Sequence, residues 1–78
     1  MISVRLFVTL VPRSKTGQPT FTVDYTPGMT AGSIMEREGF VGHDAEGIMP
    51  VVNGVQATPE QVLADGDQVE LLVSIQGG

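Results

Sequence analysis

The sequence ends on two glycines, Gly77 and Gly78, directly after the strongly apolar stretch 69–73. Glycine loses more conformational freedom on ordering than any other residue, so a glycine pair is a poor anchor for a terminus. Because average glycine usage is roughly 7%, two glycines end a chain by chance in only about half a percent of cases. The pair is therefore interpreted either as a frayed end of no consequence or as a tail whose freedom and slimness are its purpose.

Side chains that could catalyse a reaction are sparse in the rest of the chain. There is no cysteine, which excludes a cysteine nucleophile, a persulfide, a disulfide and a thiolate zinc site on this chain. His43, the single histidine, could be imagined as a metal ligand with Asp44 and Glu46, but such a loop cluster is more often solvated. The serines have no base at a recognised spacing, and the glycines match no phosphate-binding loop. We therefore expect no metal site, no cofactor-binding site and no active site of the chain's own.

Length and composition predict one domain over residues 1–78. The chain is 41% hydrophobic and 17% charged, which is typical of a globular protein near the lower size limit for a single core. Its net charge of −5 argues against nucleic acid as a partner and favours partners with a basic surface. No apolar run approaches a membrane span, and strand-like sequence follows Met1 at once, which leaves no room for a signal peptide. We expect a cytoplasmic protein that is monomeric when free.

Two strands are predicted at the start of the chain. Apolar residues alternate with other residues over 2–11 and again over 20–26, which is the period of a half-buried strand. The segment 12–19 between them is rich in turn-forming residues. The two strands are therefore predicted to pair as a hairpin.

One main helix is predicted over 31–38. Thr30 is a favourable N-cap, and Gly39 is a favourable stop signal. Gly32 weakens a helix by roughly 1 kcal/mol relative to alanine. The helix is therefore expected to be short or irregular.

A second hairpin is predicted after a loop at 40–47. The strand 48–52 contains Pro50, which predicts an edge position or a strand start. Asn53-Gly54 is a strong signal for a two-residue hairpin turn into a short strand at 55–57. The chain is predicted to continue through a single helical turn that begins at Thr58-Pro59, a further turn at 65–67 and a last strand over 68–75.

This order of elements predicts an α+β fold. Two hairpins that flank one helix cannot bury their apolar faces separately at this size, so they must share one sheet with the helix packed across it. The last strand is almost continuously apolar, and it gains a neighbour on each side if it lies parallel to the first strand between the hairpins. The predicted architecture is a β-grasp, the ubiquitin-like mixed sheet.

A docking surface is predicted beside the carboxyl terminus. If alternate residues of the last strand face the helix, Leu72 faces outwards beside the outward Phe7 of the first strand. A single exposed apolar pair is also common on ordinary protein surfaces. Ile75 and Gln76, where the terminal segment leaves the sheet, are included in the predicted partner-binding set, and 76–78 is expected to be a flexible tail.

The whole chain resembles the ThiS/MoaD family of sulfur carriers, which are ubiquitin-like proteins that end in Gly-Gly. The segment 4–10 resembles the first strand of the molybdopterin-synthase small subunits, the MoaD branch. The stretches 52–54, 65–69 and 76–78 are similar to both branches. The ending at 74–76 is closer to ThiS because MoaD proteins usually carry a Pro-Pro pair there, whereas the chain length and the long first hairpin loop are closer to MoaD.

The resemblance implies a reaction cycle on Gly78, with Gly77 beside it. An activating enzyme similar to MoeB or ThiF uses ATP to adenylate the Gly78 carboxylate, and a sulfurtransferase persulfide converts the adenylate to a thiocarboxylate. A molybdopterin or thiazole synthase then accepts the sulfur. The chain is thus expected to be a protein co-substrate and not an enzyme. Two alternatives stay open, namely a ubiquitin-like modifier conjugated through Gly78 and a plain interaction domain.

Overall fold

A five-stranded mixed sheet forms the centre of the fold in the computed structural model, which describes residues 1–73. The strands are β1 (Ile2–Leu6), β2 (Thr20–Val23), β3 (Ile48–Val52), β4 (Val55–Gln56) and β5 (Gln68–Val73). Their order in the sheet is β2-β1-β5-β3-β4, with β5 parallel to β1 and antiparallel to β3. The predicted β-grasp, with the last strand between the two hairpins, is confirmed.

One face of the sheet, the inner face, carries the hydrophobic core. Burial alternates along β1, and the inward residues pair with buried residues of β5, as in Val4 with Val69 and Leu6 with Leu71. A single-residue shift of one of these strands would turn its inward side chains towards solvent. The alternation in the sequence therefore determines the register of the central strands.

The strand predicted over 2–11 is wrong beyond Leu6, where β1 ends. The segment Val8–Arg13 is a 3₁₀ helix that buries Leu10 and leaves Val8 72% exposed. The neighbouring strand explains the early end, because Leu6 donates its N–H to the carbonyl of Pro19 at 2.8 Å and Pro19 itself has no N–H to return. Alternation alone does not reveal this loss of a pairing partner.

The main helix, α1 (Ala31–Arg37), packs against the inner face and ends one residue earlier than predicted. Thr30 caps it through a reciprocal pair with Ser33, in which each backbone N–H donates to the other side chain. The chain leaves the helix at Gly39, whose φ of +87° is favourable for glycine. The predicted cap and stop are confirmed.

Gly32 is required by a close approach between the helix and the loop that follows β4. Its N–H donates to the carbonyl of Pro59 at 2.8 Å, while the N–H of Ala31 donates to the carbonyl of Gln61. A Cβ on Gly32 would lie 3.0 Å from the Pro59 oxygen. From the sequence, Gly32 is expected only to weaken the helix. Its missing side chain also allows the loop to approach closely enough for its carbonyls to accept the first N–H groups of α1.

Three shorter elements differ from the predictions. A four-residue helix, α2 (His43–Glu46), lies in the segment predicted as loop, and β2 ends at Val23 instead of Thr26. The helical turn predicted at Thr58 is a single turn closed by the N–H of Gln61, with no helix at that point. No helix among residues 1–73 is long and apolar enough to cross a membrane.

Pro50 lies in the middle of β3, and β3 lies between β5 and β4. The prediction that this proline marks an edge strand or a strand start is therefore wrong. Its carbonyl accepts the N–H of Ala57 at 2.9 Å, on the side of β3 away from β5. Since N and C=O of one strand residue point the same way, the proline nitrogen also faces that side, where the two-residue β4 has already ended. The missing N–H therefore costs no bond to β5.

Asn53 and Asp67 join the second hairpin to the start of β5. The Asn53-Gly54 turn has the positive φ values of the predicted hairpin turn, +51° and +81°. The Asn53 amide donates to Asp67, and its oxygen accepts the N–H of Gln68, both at 2.9 Å. The backbone N–H of Ala64 and, after it, the Asn53 amide lower the pKa of Asp67 from its ordinary value of 3.8.

Replacing Gly32 with alanine is expected to destabilise the fold by about 1 kcal/mol, although alanine is the better helix former. The added methyl group meets the backbone oxygen of Pro59, which cannot move without loosening its bond to residue 32. Urea unfolding measures the effect. Gly47→Ala is the control, because a Cβ at Gly47 meets no atom within 4 Å and its φ is −93°. Equal stability of the two variants would contradict the close-approach argument.

The Asp67 network is expected to lose its stabilising effect in acid. Since the folded-state pKa of Asp67 is lowered, the carboxylate contributes fully above pH 3.8 and loses its effect as the pH falls through the folded-state value. The stability advantage of the native chain over Asp67→Asn should therefore shrink below pH 3.8. Urea unfolding at a series of pH values checks this, since all other carboxyl groups are common to both proteins. An advantage that persists in acid would refute it.

Candidate docking face and carboxyl terminus

The strand β5 is the element that leads to the terminal glycines. It is hydrogen-bonded to β1 on one side and to β3 on the other, and its last described residue is Val73. Gly78 follows Val73 by five positions in the sequence. The predicted site residues Ile75, Gln76, Gly77 and Gly78 lie outside the described residues.

The face of the sheet away from α1, here called the outer face, contains Leu72. Along β5, Val69 and Leu71 are buried, whereas Glu70 and Leu72 between them are half-buried. The register pairs Leu72 with Met49 of β3, and Glu70 with Val51. Both β3 residues are half-buried and alternate with buried neighbours, so they share this face with Leu72.

Phe7 lies directly after β1 and is 43% exposed. Its backbone is still extended, with φ −60° and ψ 148°, and its N–H donates to the carbonyl of Leu71 at 2.9 Å. Because Leu6 is buried, the alternation turns Phe7 towards the outer face. The structure thus brings Phe7 to the part of β5 that contains Leu72. The sequence predicts Phe7 within the first strand, whereas in the structure it lies just after the end of β1.

Four apolar side chains make up what we call the apolar patch: Phe7, Met49, Val51 and Leu72. Met49 and Val51 are absent from the predicted partner-binding set. They alternate with Ile48, Pro50 and Val52, so the period-two pattern of β3 places them together on one face. The missing information is that β3 is the neighbour of β5, which follows from the sheet order and not from either strand alone.

The charges of the outer face cancel. Arg5 and Glu70 lie opposite each other on β1 and β5 and form an ion pair at 3.6 Å. Most other carboxylates are in loops and on the helices of the described chain: Asp24, Glu36, Asp44, Glu46, Glu60, Asp65 and Asp67. An acidic protein thus presents a neutral, partly apolar face around the end of β5, and its net charge acts at longer range.

A shallow groove of about 380 Å³ covers the polar part of the outer face and is lined by hydroxyl-bearing residues together with Arg5 and Glu70. None of its lining residues is a histidine. His43 lies on α2 with its side chain 98% exposed and paired with Glu46 at 3.3 Å, while Asp44 is paired with Arg13 at 3.0 Å. Within residues 1–73, no three His, Asp or Glu side chains gather into a potential metal site. The described residues therefore place no histidine beside the hydroxyl groups of this groove.

No family model matches the sequence, and no curated protein is similar enough in sequence to count as a match. Solved structures do match. Small archaeal modifier protein 1 (SAMP1) from Haloferax volcanii is 22% identical, with 95% of this chain and 97% of that chain covered and a TM-score of 0.73. Urm1 from Trypanosoma brucei is 20% identical, with coverages of 99% and 94% and a TM-score of 0.66.

A protein from Pyrococcus furiosus assigned as molybdopterin converting factor, subunit 1, is 19% identical, with coverages of 95% and 97% and a TM-score of 0.71. These structures are ubiquitin-like proteins of the ThiS/MoaD type, and each is matched over nearly its whole length. At this level of sequence identity the likeness concerns the fold. The resemblance indicated by the sequence is therefore confirmed for the fold.

Proposed function

We propose that the chain is a ubiquitin-like sulfur carrier whose Gly78 carboxylate is adenylated and then converted to a thiocarboxylate. The observation that carries this proposal is the position of β5. It is the central strand of the sheet, it runs beside the apolar patch, and it is the strand from which the sequence continues to Gly77-Gly78. A partner that docks on the patch therefore contacts the strand whose last described residue, Val73, precedes Gly78 by five positions in the sequence.

The chemistry needs no catalytic side chain on the carrier. A free carboxylate is a poor electrophile, and attack on ATP by the Gly78 carboxylate releases pyrophosphate and leaves an acyl adenylate. A persulfide sulfur of a sulfurtransferase then attacks the acyl carbon and expels AMP, and reduction of the remaining S–S bond by a thiol releases the thiocarboxylate. Glycine suits both steps because it has no side chain to obstruct the partner active sites. All catalytic groups belong to the partners.

The apolar patch supplies the binding energy for docking in this proposal. Burying apolar surface stabilises a complex by about 25 cal/mol per Å², and a few central side chains usually dominate an interface. Leu72 lies at the middle of the patch, between Phe7 on one side and Met49 on the other. Its partners are proposed to be an activating enzyme similar to MoeB or ThiF and a synthase of the molybdopterin or thiamin thiazole type.

A protein modifier is the second candidate, favoured by the likeness to a protein named as an archaeal modifier. Activation of Gly78 is the same in this case, but the acyl group is transferred to an amine of another protein. The fold and the patch serve both functions equally. The two candidates differ only in the nucleophile that receives the activated Gly78.

Intact-mass measurement of the chain purified from its native cell is expected to show the mass change of one oxygen-to-sulfur exchange, located by fragmentation at Gly78. Adding one residue after Gly78 should abolish the exchange, because the new carboxylate no longer follows Gly-Gly. Isopeptide-linked conjugates of higher mass, without the sulfur form, would instead support the modifier. If neither form is found, both candidate functions are wrong.

Leu72→Glu is expected to weaken binding to the activating enzyme and to the synthase by about thirtyfold, the effect of losing about 2 kcal/mol at an interface centre. Isothermal titration calorimetry measures the affinity, and urea unfolding verifies that the half-exposed substitution leaves the chain folded. Val62→Glu is the matched control, because it makes the same change at a 59% exposed apolar residue that is bridged to Thr30 on the helix side. Equal affinities of the two variants would exclude the apolar patch as the docking surface.

A further inference from the structure

Lys15 is the single lysine of the chain, and the other three basic residues are Arg5, Arg13 and Arg37. A guanidinium stays protonated at any physiological pH and does not attack acyl groups, whereas a lysine amine does so once it has lost a proton. An amide bond to a side-chain nitrogen of this protein therefore has one possible site.

The turn that contains Lys15 is closed by its own hydrogen bonds. Ser14 donates both its backbone N–H and its hydroxyl to the carbonyl of Val11, at 3.2 and 2.7 Å. The N–H of Gly17, whose φ is +66°, donates to the Ser14 hydroxyl oxygen at 3.0 Å. These bonds hold the turn at the end of the 3₁₀ helix.

Glu38 fastens the same turn to the end of α1. Its backbone carbonyl accepts the N–H of Lys15 at 3.2 Å, and its Oε1 accepts the N–H and the hydroxyl of Thr16 at 3.1 and 2.8 Å. The side chain of Glu38 is only 1% exposed. Glu38 thus holds the backbone of residues 15 and 16 in place, so that the Lys15 side chain extends from an ordered turn.

The amine of Lys15 is left accessible. Its side-chain carbons Cγ and Cε lie over Gly39, 3.8 Å from the position that a Cβ would take there. Arg13 is paired with Asp44, and Arg37 with Glu38, but no carboxylate within residues 1–73 forms an ion pair with Lys15. The residue packs against the end of α1, on the helix side of the sheet, so a partner on the apolar patch does not cover it.

We propose that Lys15 is the acceptor amine to which a second, activated copy of this chain is joined through its Gly78. The inference rests on the proposed activation of Gly78. The Lys15 amine, having given one proton to solvent, attacks the Gly78 carbonyl carbon of the acyl adenylate. A C–N bond forms, the C–O bond to the phosphate breaks, AMP leaves with that electron pair, and the nitrogen gives a second proton to water. Because Lys15 is the single lysine, each copy then accepts only one other copy at a side chain, and every such linkage joins Gly78 to Lys15.

A chemically made acyl donor tests this without any activating enzyme. The full chain with Gly78 as an alkyl thioester, obtained by intein cleavage, is mixed with the ¹⁵N-labelled full chain as acceptor. Fragmentation mass spectrometry is expected to locate the isopeptide bond at Lys15, and Lys15→Arg should lose the conjugate. The matched variant Lys15→Arg/Arg37→Lys keeps the charge and moves the single lysine to a helical position whose side chain is 54% exposed. It should conjugate more slowly.

Three results would overturn the proposal: no conjugate with the native acceptor, a conjugate through the Met1 amine that persists in Lys15→Arg, or an equal rate for the moved lysine. The Met1 amine is a meaningful comparison because it forms an ion pair with Asp65. The thioester bypasses adenylation, so failure here leaves the proposed function standing. Failure of the native chain to form an adenylate with ATP and its activating enzyme would contradict the proposed function itself.

Discussion

The pairing of β5 with β1 on one side and β3 on the other is the constraint on which the rest of the structure depends. Val69 and Leu71 are almost completely buried, so this strand cannot lie at an edge. A parallel neighbour also needs a long connection, and residues 7–67 form it, with α1 packed across the inner face. β5 itself is consequently held at the centre of the sheet and not at its margin.

The two faces of the sheet have different roles as a result. The inner face is closed by α1, the 3₁₀ helix and the loop that approaches Gly32, and it contains the core. The outer face has no layer over it in the described chain, and its side chains divide into a polar part around Arg5 and Glu70 and the apolar patch near the end of β5. In the proposed docking, charge favours encounter with a basic partner and apolar contact determines where that partner binds, since the acidic residues lie mostly away from the patch.

The two hairpins, the last strand between them and the helix caps could be predicted from the sequence, because alternation, Thr30, Gly39 and Asn53-Gly54 are local signals. The end of β1 could not, since the apolar pattern continues to Val11 and only the pairing with Pro19 shows that the ladder stops at Leu6. Met49 and Val51 were missed for a similar reason, because membership of the apolar patch depends on which strand lies beside β5. The predictions about residues 75–78, which include the reacting Gly78, are based on the sequence and the resemblance alone.

Glu38 shows why a buried carboxylate need not indicate catalysis. Its Oε2 has no hydrogen-bond partner among the described residues, and Arg37 Nε approaches it only to 3.5 Å, an arrangement that in an enzyme would suggest a reacting group. Yet the groups that Oε1 binds are the N–H and the hydroxyl of Thr16. His43, the one histidine that could act with a carboxylate in catalysis, lies on α2 and is paired with Glu46 instead. The burial of this charge is offset by the bonds that order the turn. Its hydrogen bonds to residues 15 and 16 therefore account for this buried carboxylate as a group that orders the turn after the 3₁₀ helix.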